Sequence, residues 1–283
     1  MRRSAVAGCA LAMAFAVSLA SARADAASPS APYSAPKHVH HHHHRKHVKL
    51  PKNPFALPAM RSYLAGRADY VDAAVRDLRT GKTYTWHPGR REQTASIVKV
   101  DILETLLRQE HGLSPAQQTI ATGMIEASDN DDATELWDDV GGAPAVTAYD
   151  RLAGMTNTTP NLAWGLTETT APDQLTLLQE LISADSLLKP AAQQYELDLM
   201  SHIDPGENWG VSGGIPAGVQ IALKNGWLPL DGNGDWQINS IGRIRGDGRW
   251  YLIAVLTTGN ATEGYGIDTI EGVSSRVWND LKR

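Results

Sequence analysis

The sequence is nearly devoid of cysteine: the one cysteine among its 283 residues is Cys9. This excludes a small fold that is stapled by disulfides. Because Cys9 lies in a segment that we expect to be removed on export, the mature protein must be held together by its core alone. The composition allows this, since 42% of the residues are hydrophobic.

The sequence also lacks an excess of basic residues. It has 26 basic and 31 acidic side chains, and they are unevenly distributed. Three basic residues lie in 1–24, and five basic residues and one acid lie in 25–54, which leaves 18 basic and 30 acidic residues in 55–283. Because phosphate binding needs a basic surface, so acidic a body argues against nucleic acid as a partner.

The N-terminal apolar run is too short to cross a membrane. It extends from Ala5 to Ala20, short of the ~20 apolar residues that a span needs. Two arginines precede it, and Ala22-Arg23-Ala24 follows as a cleavage site, so residues 1–24 are typical of a secretory signal peptide. We expect a secreted, periplasmic or cell-wall-associated protein. A membrane anchor and twin-arginine export are alternatives, whereas a lipoprotein signal at Val6–Cys9 fits poorly because the apolar segment follows the cysteine.

Residues 25–54 are rich in Ser, Ala, Pro and His and show no apolar period. This composition predicts a disordered linker. Seven of the ten histidines lie here, and neutral imidazoles bind Zn, Ni or Cu, so weak metal binding is one interpretation. The alternatives are a pH-dependent basic tether to an anionic cell surface, a solvated spacer and a cloning tag. The folded domain is then expected over residues 55–283.

Strand patterns occur at both ends of this domain, and a helical block lies between them. That order predicts an α+β fold, in which one antiparallel β-sheet is formed by both chain ends, helices flank it, and a reduced all-helical lobe is inserted. The expected elements are a helix at 54–66, strands at 70–78 and 83–87, a helix at 96–109, mostly helix over 115–182, strands at 219–228, 236–245 and 250–257, and a closing helix at 268–281.

The helix at 96–109 places Ser96 and Lys99 on its apolar arc, one turn apart. A lysine on a buried stripe is costly unless it has a partner, and burial lowers its pKa until it can act as a base. Lys99 could then deprotonate Ser96 at the helix N-terminus, where the dipole favours developing negative charge. The alternative is a lysine that snorkels to solvent. The opposite arc is expected to face water: Asp101, Glu104, Thr105 and Arg108.

An S-x-x-K motif alone is weak evidence, and the sequence contains a second one at Ser186–Lys189. Pro190 follows it directly, which disfavours helical geometry at Lys189 and indicates a loop between helices. Two further motifs strengthen the first. Ser128-Asp129-Asn130 lies between helical segments, and Lys224-Asn225-Gly226 lies on a predicted strand.

The ordered set S-x-x-K, S-D-N and K-T-G is that of class A β-lactamases and penicillin-binding proteins. Over roughly residues 55–283 the chain resembles the class A β-lactamase-type serine hydrolases of that superfamily. The resemblance implies that Ser96 is the acylated nucleophile, that Lys99 is its base, and that Ser128 relays the proton to the leaving nitrogen. It implies no cofactor and no metal in the domain.

The resemblance also implies a set of substrate-binding residues. Asn130 would hold Lys99 and the substrate amide, and Lys224 would attract a substrate carboxylate and depress the pKa of Lys99. Gly226 would let the strand approach the substrate, and the N–H groups of Ser96 and Trp227 would form the oxyanion hole. Asn225 completes the motif. The substrate would be a β-lactam or a peptidoglycan-like peptide.

The chain departs from the family pattern in three ways. Asn225 replaces the motif's Thr or Ser, so carboxylate recognition should differ. Residues 156–167 hold no acid, although the family carries there the glutamate that activates the deacylating water. Glu168 lies beside this segment, and an ion-paired loop anchor is favoured over a base. The interval between Ser96 and Ser128 is also short, which predicts a reduced lobe.

We therefore expect an exported serine hydrolase that is acylated at Ser96 and deacylated slowly. The alternatives are a non-catalytic, penicillin-recognising cell-wall binding protein, a D,D-peptidase-like enzyme, and a His-rich metal scavenger with an inert body.

Overall fold

The structure, a computed structural model, describes residues 52–282 apart from 68–69, 111, 231 and 233. The predicted signal peptide and residues 25–51 of the predicted His-rich linker lie outside the described residues. The last three linker residues belong to the folded unit. Asn53 accepts a hydrogen bond from the Phe55 amide (3.0 Å) and caps a 3-10 turn at Pro54–Ala56, where Pro54 is buried.

The main sheet has five antiparallel strands in the order β2-β1-β7-β6-β5. The early strand β1 pairs with the late strand β7 along its whole length, from Tyr70 opposite Thr258 to Asp77 opposite Tyr251. This confirms the prediction of one sheet shared by both ends of the domain. A two-stranded sheet, β3 with β4, was not predicted. The strands are β1 Tyr70–Asp77, β2 Lys82–Trp86, β3 Glu92–Gln93, β4 Glu168–Thr169, β5 Gln220–Pro229, β6 Trp236–Gly246 and β7 Arg249–Asn260.

The predicted helices are present, and several begin at side-chain caps. The Ser114 hydroxyl and the Gln117 side chain form a capping box, and Asp129, Thr170 and Thr262 each cap a later helix. No helix of the described residues is long and apolar enough to cross a membrane. The helices are α1 Pro58–Ala65, α2 Val98–Gln109, α3 Pro115–Glu126, α4 Asn130–Val140, α5 Gly142–Ala153, α6 Ala171–Glu180, α7 Pro190–Leu199 and α8 Glu263–Asp280.

The main sheet carries a core on each face. On one face, alternate β1 residues such as Val71 and Val75 pack with α1 and α8. On the other face, Ala74 and Leu252 pack with the helical lobe. Within that lobe α2 is surrounded, because α3, α4, α5 and α7 all pack against it. The helix that begins just after Ser96 is therefore held on all sides, which fixes the site at its N-terminus.

The prediction that one arc of α2 faces water holds for Arg108, which is exposed, but is wrong for the other three residues. Asp101, Glu104 and Thr105 are only 1%, 0% and 2% exposed. Helical periodicity distinguishes two arcs but not what each arc faces, and here the polar arc faces neighbouring helices of the lobe.

The buried acids of α2 belong to an acid cluster, which consists of Asp101, Glu104, Asp150 and Glu196. All four side chains are at most 1% exposed. The carboxylates of Asp101 and Asp150 repel each other, and the Tyr149 hydroxyl donates to Glu104. Burial raises the pKa of all four carboxyl groups, to about 7 for Asp150, and repulsion within the cluster adds to it for Asp101, Glu104 and Glu196.

Candidate active site

Ser96 lies in a 3-10 turn, Ala95–Ile97, that leads directly into α2. Its side chain borders a cleft of about 300 Å³, which Asn130, Trp164 and Trp227 also line. The preceding residue, Ala95, has a φ of +48°, an unusual conformation for a residue with a side chain and one that concentrates at functional sites. The turn thus presents the Ser96 hydroxyl to the cleft at the positive end of the helix.

Lys99 lies one helical turn after Ser96 and is completely buried. Its Nζ donates to the Ser128 carbonyl oxygen (2.6 Å), the Ser128 hydroxyl (3.2 Å) and Asn130 Oδ1 (2.8 Å). Burial, and then the charge of Lys224, lower the pKa of Lys99 to about 7. The prediction of a desolvated, partnered lysine is confirmed, and a large fraction of Lys99 is neutral at neutral pH.

Ser128 and Asn130 are fixed by the turn that starts α4. The Asp129 side chain accepts hydrogen bonds from the Asp131 and Asp132 amides, at 2.8 and 2.9 Å. Ser128 has a φ of +56° just before this cap. The backbone therefore turns sharply at Ser128, and the side chains on either side of Asp129 both reach Lys99.

Lys224 approaches the Ser128 hydroxyl from the opposite side. It lies on β5, is 1% exposed, and its Nζ is 2.9 Å from Ser128 Oγ and 3.3 Å from the Asn225 carbonyl oxygen. Burial lowers the pKa of Lys224 to about 8, and Glu207 opposes this shift. The Ser128 hydroxyl therefore bridges two lysines, an arrangement through which a proton can pass between them.

Gly226 brings β5 against the helix N-terminus. A Cβ at this position would lie 2.7 Å from the Ser96 nitrogen and 2.9 Å from both the Ile97 nitrogen and the Thr94 carbonyl oxygen. Backbone atoms cannot give way as a flexible side chain can, so only glycine allows this approach.

The N–H of Trp227 points to the free edge of the sheet. In an antiparallel ladder the N–H and C=O of one residue point to the same side, and the side alternates along the strand. Leu223 donates its N–H outward to Met200 (2.9 Å), and the Asn225 carbonyl meets Lys224 on that outer side. Trp227 follows in the same alternation, so its N–H is free to bind a ligand beside Ser96.

The side chain of Asn225 lies on the face of β5 opposite to Lys224 and does not line the cleft. It is 1% exposed, and its Nδ2 donates to the carbonyl oxygens of Glu207 (2.6 Å) and Trp209 (3.2 Å). Successive strand residues point to opposite faces, so the side chains of Asn225 and Lys224 diverge. The contact with a substrate carboxylate that the motif implied is therefore not available to this amide while it holds the 207–209 loop.

The wall opposite β5 is formed by residues 163–166. Its Trp164 ring lies over Lys99, with 5.2 Å between Nζ and the ring centroid, and its Nε1 donates to Thr134 Oγ1 (3.2 Å). The absence of an acid from this segment was evident from the sequence, but the position of Trp164 over Lys99 was not predicted. Glu168 is the predicted loop anchor: it is exposed, pairs with Arg91 at 3.7 Å and belongs to β4.

Glu207 is a site residue that was not predicted. Burial raises the pKa of its carboxyl group, and Lys224 and Lys99 lower it, so its charge acts on both lysines. Its Oε2 is buried and has no hydrogen-bond partner. No motif contains Glu207. The only hint in the sequence is the unusual Asn225 of the third motif, whose side chain donates to the Glu207 carbonyl oxygen. Within the described residues, no group of three or more His, Cys, Asp or Glu side chains is arranged to hold a metal ion.

Comparison with known proteins agrees with this geometry. The profile of the Beta-lactamase enzyme family matches residues 104–281, more than half of the chain, including Ser128–Asn130 and Lys224–Gly226. The chain therefore belongs to the Beta-lactamase enzyme family. The matched region begins after Ser96 and Lys99, so the assignment of those two residues rests on the motif and on the geometry above.

Individual relatives are distant. "Putative lipoprotein LppW" of Mycobacterium tuberculosis is 28% identical over 194 residues, which are 65% of this chain and 62% of that protein. A class A beta-lactamase of Bacteroides cellulosilyticus superposes with a TM-score of 0.72 at 18% identity, covering 82% of this chain and 99% of that one. PBP-A gives a TM-score of 0.67 at 20% identity, over 77% and 92%. At these identities the structural matches establish the fold.

Proposed function

We propose that the protein is an exported serine hydrolase that is acylated at Ser96 by β-lactams or peptidoglycan-like amides and that releases the acyl group slowly. The observation that carries the proposal is the Ser128 hydroxyl, held 3.2 Å from Lys99 Nζ and 2.9 Å from Lys224 Nζ beside the helix that begins just after Ser96. This arrangement supplies a base, a proton relay and a positive charge around one hydroxyl nucleophile.

In the proposed acylation, neutral Lys99 takes the proton of the Ser96 hydroxyl as its oxygen attacks the substrate carbonyl carbon. The resulting oxyanion is bound by the N–H groups of Ser96 and Trp227. The C–N bond then breaks, and the leaving nitrogen takes the proton of Ser128, which Lys99 replaces. Protons and electrons balance without a cofactor. The product is an ester at Ser96 and an amine, which departs from a peptide substrate and stays attached to the acyl group of an opened β-lactam.

Substrate selection would rest on the charge of Lys224 and on the aromatic walls of the cleft. Because the Asn225 amide is used by the 207–209 loop, Lys224 and Ser128 are left as partners for a substrate carboxylate. Trp164 and Trp227 line the cleft on opposite sides of Ser96. An acyl group with an apolar or aromatic side chain fits this lining.

Hydrolysis of the ester needs a base that activates water, and the segment 156–167, which supplies the cleft wall at 163–166, contains no carboxylate. The same observation favours a second candidate, a penicillin-recognising protein that captures its ligand without turnover. A D,D-peptidase-like enzyme is the third, in which an amine rather than water resolves the ester. All three share acylation at Ser96 and differ in the fate of the ester.

Intact-mass spectrometry of the purified domain after exposure to a penicillin, a cephalosporin and an activated thioester tests the proposal. We expect a mass increase of one acyl group, located by digestion to the peptide that contains Ser96. Removing the free ligand then separates the candidates: slow mass loss indicates a hydrolase, loss only on adding a D-amino acid indicates a transpeptidase-type enzyme, and a permanent adduct indicates a receptor. Absence of an adduct with every probe would refute acylation.

Export and metal binding are separate proposals, because residues 1–51 lie outside the described part of the chain. N-terminal sequencing of the protein from a secreting host tests cleavage after residue 24. Zinc titration of the full chain against a chain without residues 25–51 tests the histidines.

A further inference from the structure

Three arginines lie on one face of the main sheet, away from Ser96. In the register, Arg243 of β6 lies between Ala222 of β5 and Leu252 of β7, and Arg76 of β1 lies on the other side of Leu252. Cross-strand neighbours share a face, so Arg76 and Arg243 flank Leu252 on the side of the helical lobe. Arg245 lies two residues after Arg243 and therefore on the same face.

These guanidinium groups have unused hydrogen-bonding capacity. None of the three forms an ion pair with a carboxylate of the described residues. The Nε atoms of Arg76 and Arg243 are buried without a hydrogen-bond partner, and so is Nε1 of Trp250. Trp250 lies directly opposite Arg245 in the ladder, and the Arg245 guanidinium sits over its ring at 5.3 Å. Unpaired N–H donors of guanidinium and indole groups therefore lie along this face of the sheet.

A cavity opens at two of these arginines, Arg243 and Arg245. It has a volume of about 630 Å³ and lies between the end of α7 and the start of β5, with Arg243, Arg245 and Gln220 on the sheet side. The acid on its rim, Asp198, lies 3.7 Å from His202. The volume is in the range of small-molecule sites. We call this space the arginine cavity.

The arginine cavity is separate from the cleft at Ser96. The hydrogen bond from the Leu223 amide to the Met200 carbonyl (2.9 Å) closes the outer edge of β5 between them. Lys224 and Ala222 occupy successive positions on one face of β5, so the Arg243 row lies about 7 Å along the strands from the Lys224 row.

We propose that the arginine cavity is a second binding site, which takes a small anionic ligand through its carboxylate or phosphate group, held by Arg243 and Arg245. A guanidinium presents paired N–H donors that match the oxygens of either group. The site stands in a chain whose net charge is −5, so the arginines are not part of a general basic surface. Burial, and then Arg245, lower the pKa of Arg243, and the negative charge of a bound anion opposes this shift.

Calorimetric titration at low ionic strength tests the site, with inorganic phosphate, glycerol 3-phosphate and N-acetylmuramic acid as probes. Arg245 is exposed, so Arg245→Gln should fold, and we expect it to weaken binding tenfold or more, because a charge-assisted contact is lost. Arg61→Gln, at an exposed arginine of α1, is the matched control and should bind as the unaltered protein does. Comparing the two organic probes distinguishes a phosphate from a carboxylate ligand.

Two further variants keep the result interpretable. Arg243→Lys keeps the charge but loses the paired donors, so it should bind more weakly while remaining folded. Lys224→Gln removes the lysine of the Ser96 cleft, and binding should survive it. The proposal is overturned if millimolar phosphate, glycerol 3-phosphate and N-acetylmuramic acid all fail to bind, if Arg245→Gln and Arg61→Gln bind equally, or if only Lys224→Gln loses binding. It does not depend on acylation, and Ser96→Ala should bind these anions unchanged.

Discussion

The indole ring of Trp164 lies over the ammonium group of Lys99, with 5.2 Å between the nitrogen and the ring centroid. The π face favours the charged lysine, whereas burial and Lys224 favour the neutral one. Trp164 thus contributes an aromatic ring to a wall that contains no carboxylate between residues 156 and 167. The base proposed for acylation, Lys99, therefore lies beside the segment in which a base for deacylation is absent.

We expect acylation to be faster than deacylation. A missing general base typically costs 10²–10⁴-fold in rate, so the adduct with a penicillin should accumulate within minutes and decay slowly. Stopped-flow spectroscopy with a chromogenic cephalosporin, combined with quenched-sample mass spectrometry, measures both steps. Rapid multiple turnover without a detectable adduct would contradict the prediction, and Glu207 would then be the first carboxylate to replace.

Ser96→Ala should abolish covalent labelling by a fluorescent penicillin, while Ser186→Ala should leave it intact. Both serines belong to S-x-x-K motifs, but Ser186 lies in the loop between α6 and α7, where its hydroxyl donates to Glu180 (2.9 Å) and Lys189 only caps α7. Gel fluorescence of the two variants decides the matter. Labelling that persists in Ser96→Ala would remove the assignment of the nucleophile.

The acylation rate should follow a bell-shaped pH profile. The pKa of Lys99 is about 7, so the neutral base appears as pH rises through that value. The pKa of Lys224 is about 8, so its attraction for a substrate carboxylate fades above it. Lys99→Arg should be inactive, because a guanidinium cannot give up its proton.

A second variant checks the origin of the rising limb. Lys224→Gln removes the positive charge that lowers the pKa of Lys99, so this pKa should rise and the rising limb should move to higher pH. Because burial is the larger cause and persists in the variant, we expect the limb to stay well below the ordinary lysine pKa while shifting upward from about 7. Acylation rates measured with an uncharged thioester avoid the loss of carboxylate binding. A profile that is flat in both proteins would argue against a lysine base.

Gly226→Ala should greatly reduce acylation. The added Cβ would lie within 2.9 Å of backbone atoms of Thr94, Ser96 and Ile97, so β5 must move away from the helix N-terminus and take the Trp227 N–H with it. Loss of an oxyanion donor typically costs 10²–10³-fold. Gly264→Ala, where nothing lies within 4 Å of the new Cβ, is the control. Equal acylation rates in the two folded variants would exclude the oxyanion role.

The acid cluster should make the domain less stable as pH rises. The folded pKa values of its carboxyl groups are raised, so the folded state binds more protons than the unfolded chain above the ordinary carboxyl pKa of about 4. The free energy of unfolding then falls with pH through that window, by about 1.4 kcal/mol per pH unit for each proton. The contribution of Asp150 to this fall ends near pH 7, because the pKa of its carboxyl group in the folded protein is about 7.

Glu196→Gln removes one of these groups and should flatten the pH dependence. Chemical denaturation at acid, neutral and mildly alkaline pH measures the slope, and exposed Glu135→Gln on α4 is the control. A slope that is unchanged in Glu196→Gln, or stability that rises steadily with pH, would show that the cluster is not protonated in the folded protein.

Local sequence patterns were enough to predict those site residues that belong to a short motif within one helix, turn or strand. The order of S-x-x-K, S-D-N and K-N-G located Ser96, Lys99, Ser128 and Lys224, and Pro190 excluded the second motif. Strand alternation and apolar periodicity predicted the five strands of the main sheet and most of the helices, although α8 begins at Glu263, five residues earlier than predicted.

The surroundings of Asp101, Asn225 and Trp164 could not be predicted, because they depend on which other elements pack against these residues. Periodicity could not tell that the arc of Asp101 and Glu104 faces other helices, because an amphipathic pattern is the same against water and against a polar interior. The use of Asn225 depends on a loop 16–18 residues away in sequence, and the place of Trp164 depends on an irregular segment. Neither has a local signature.

The pairing of β1 with β7 joins residues that are about 180 positions apart in the chain, from Asp77 opposite Tyr251 to Tyr70 opposite Thr258. The entropy of closing so long a loop must be overcome before this ladder stabilises the domain, and topologies of high contact order fold slowly. The lobe that carries Ser128 and Asn130 lies inside that loop. The Lys224–Ser128 contact joins that lobe to β5 of the sheet, so the site at Ser96 is complete only when the lobe and the sheet are both folded and packed together.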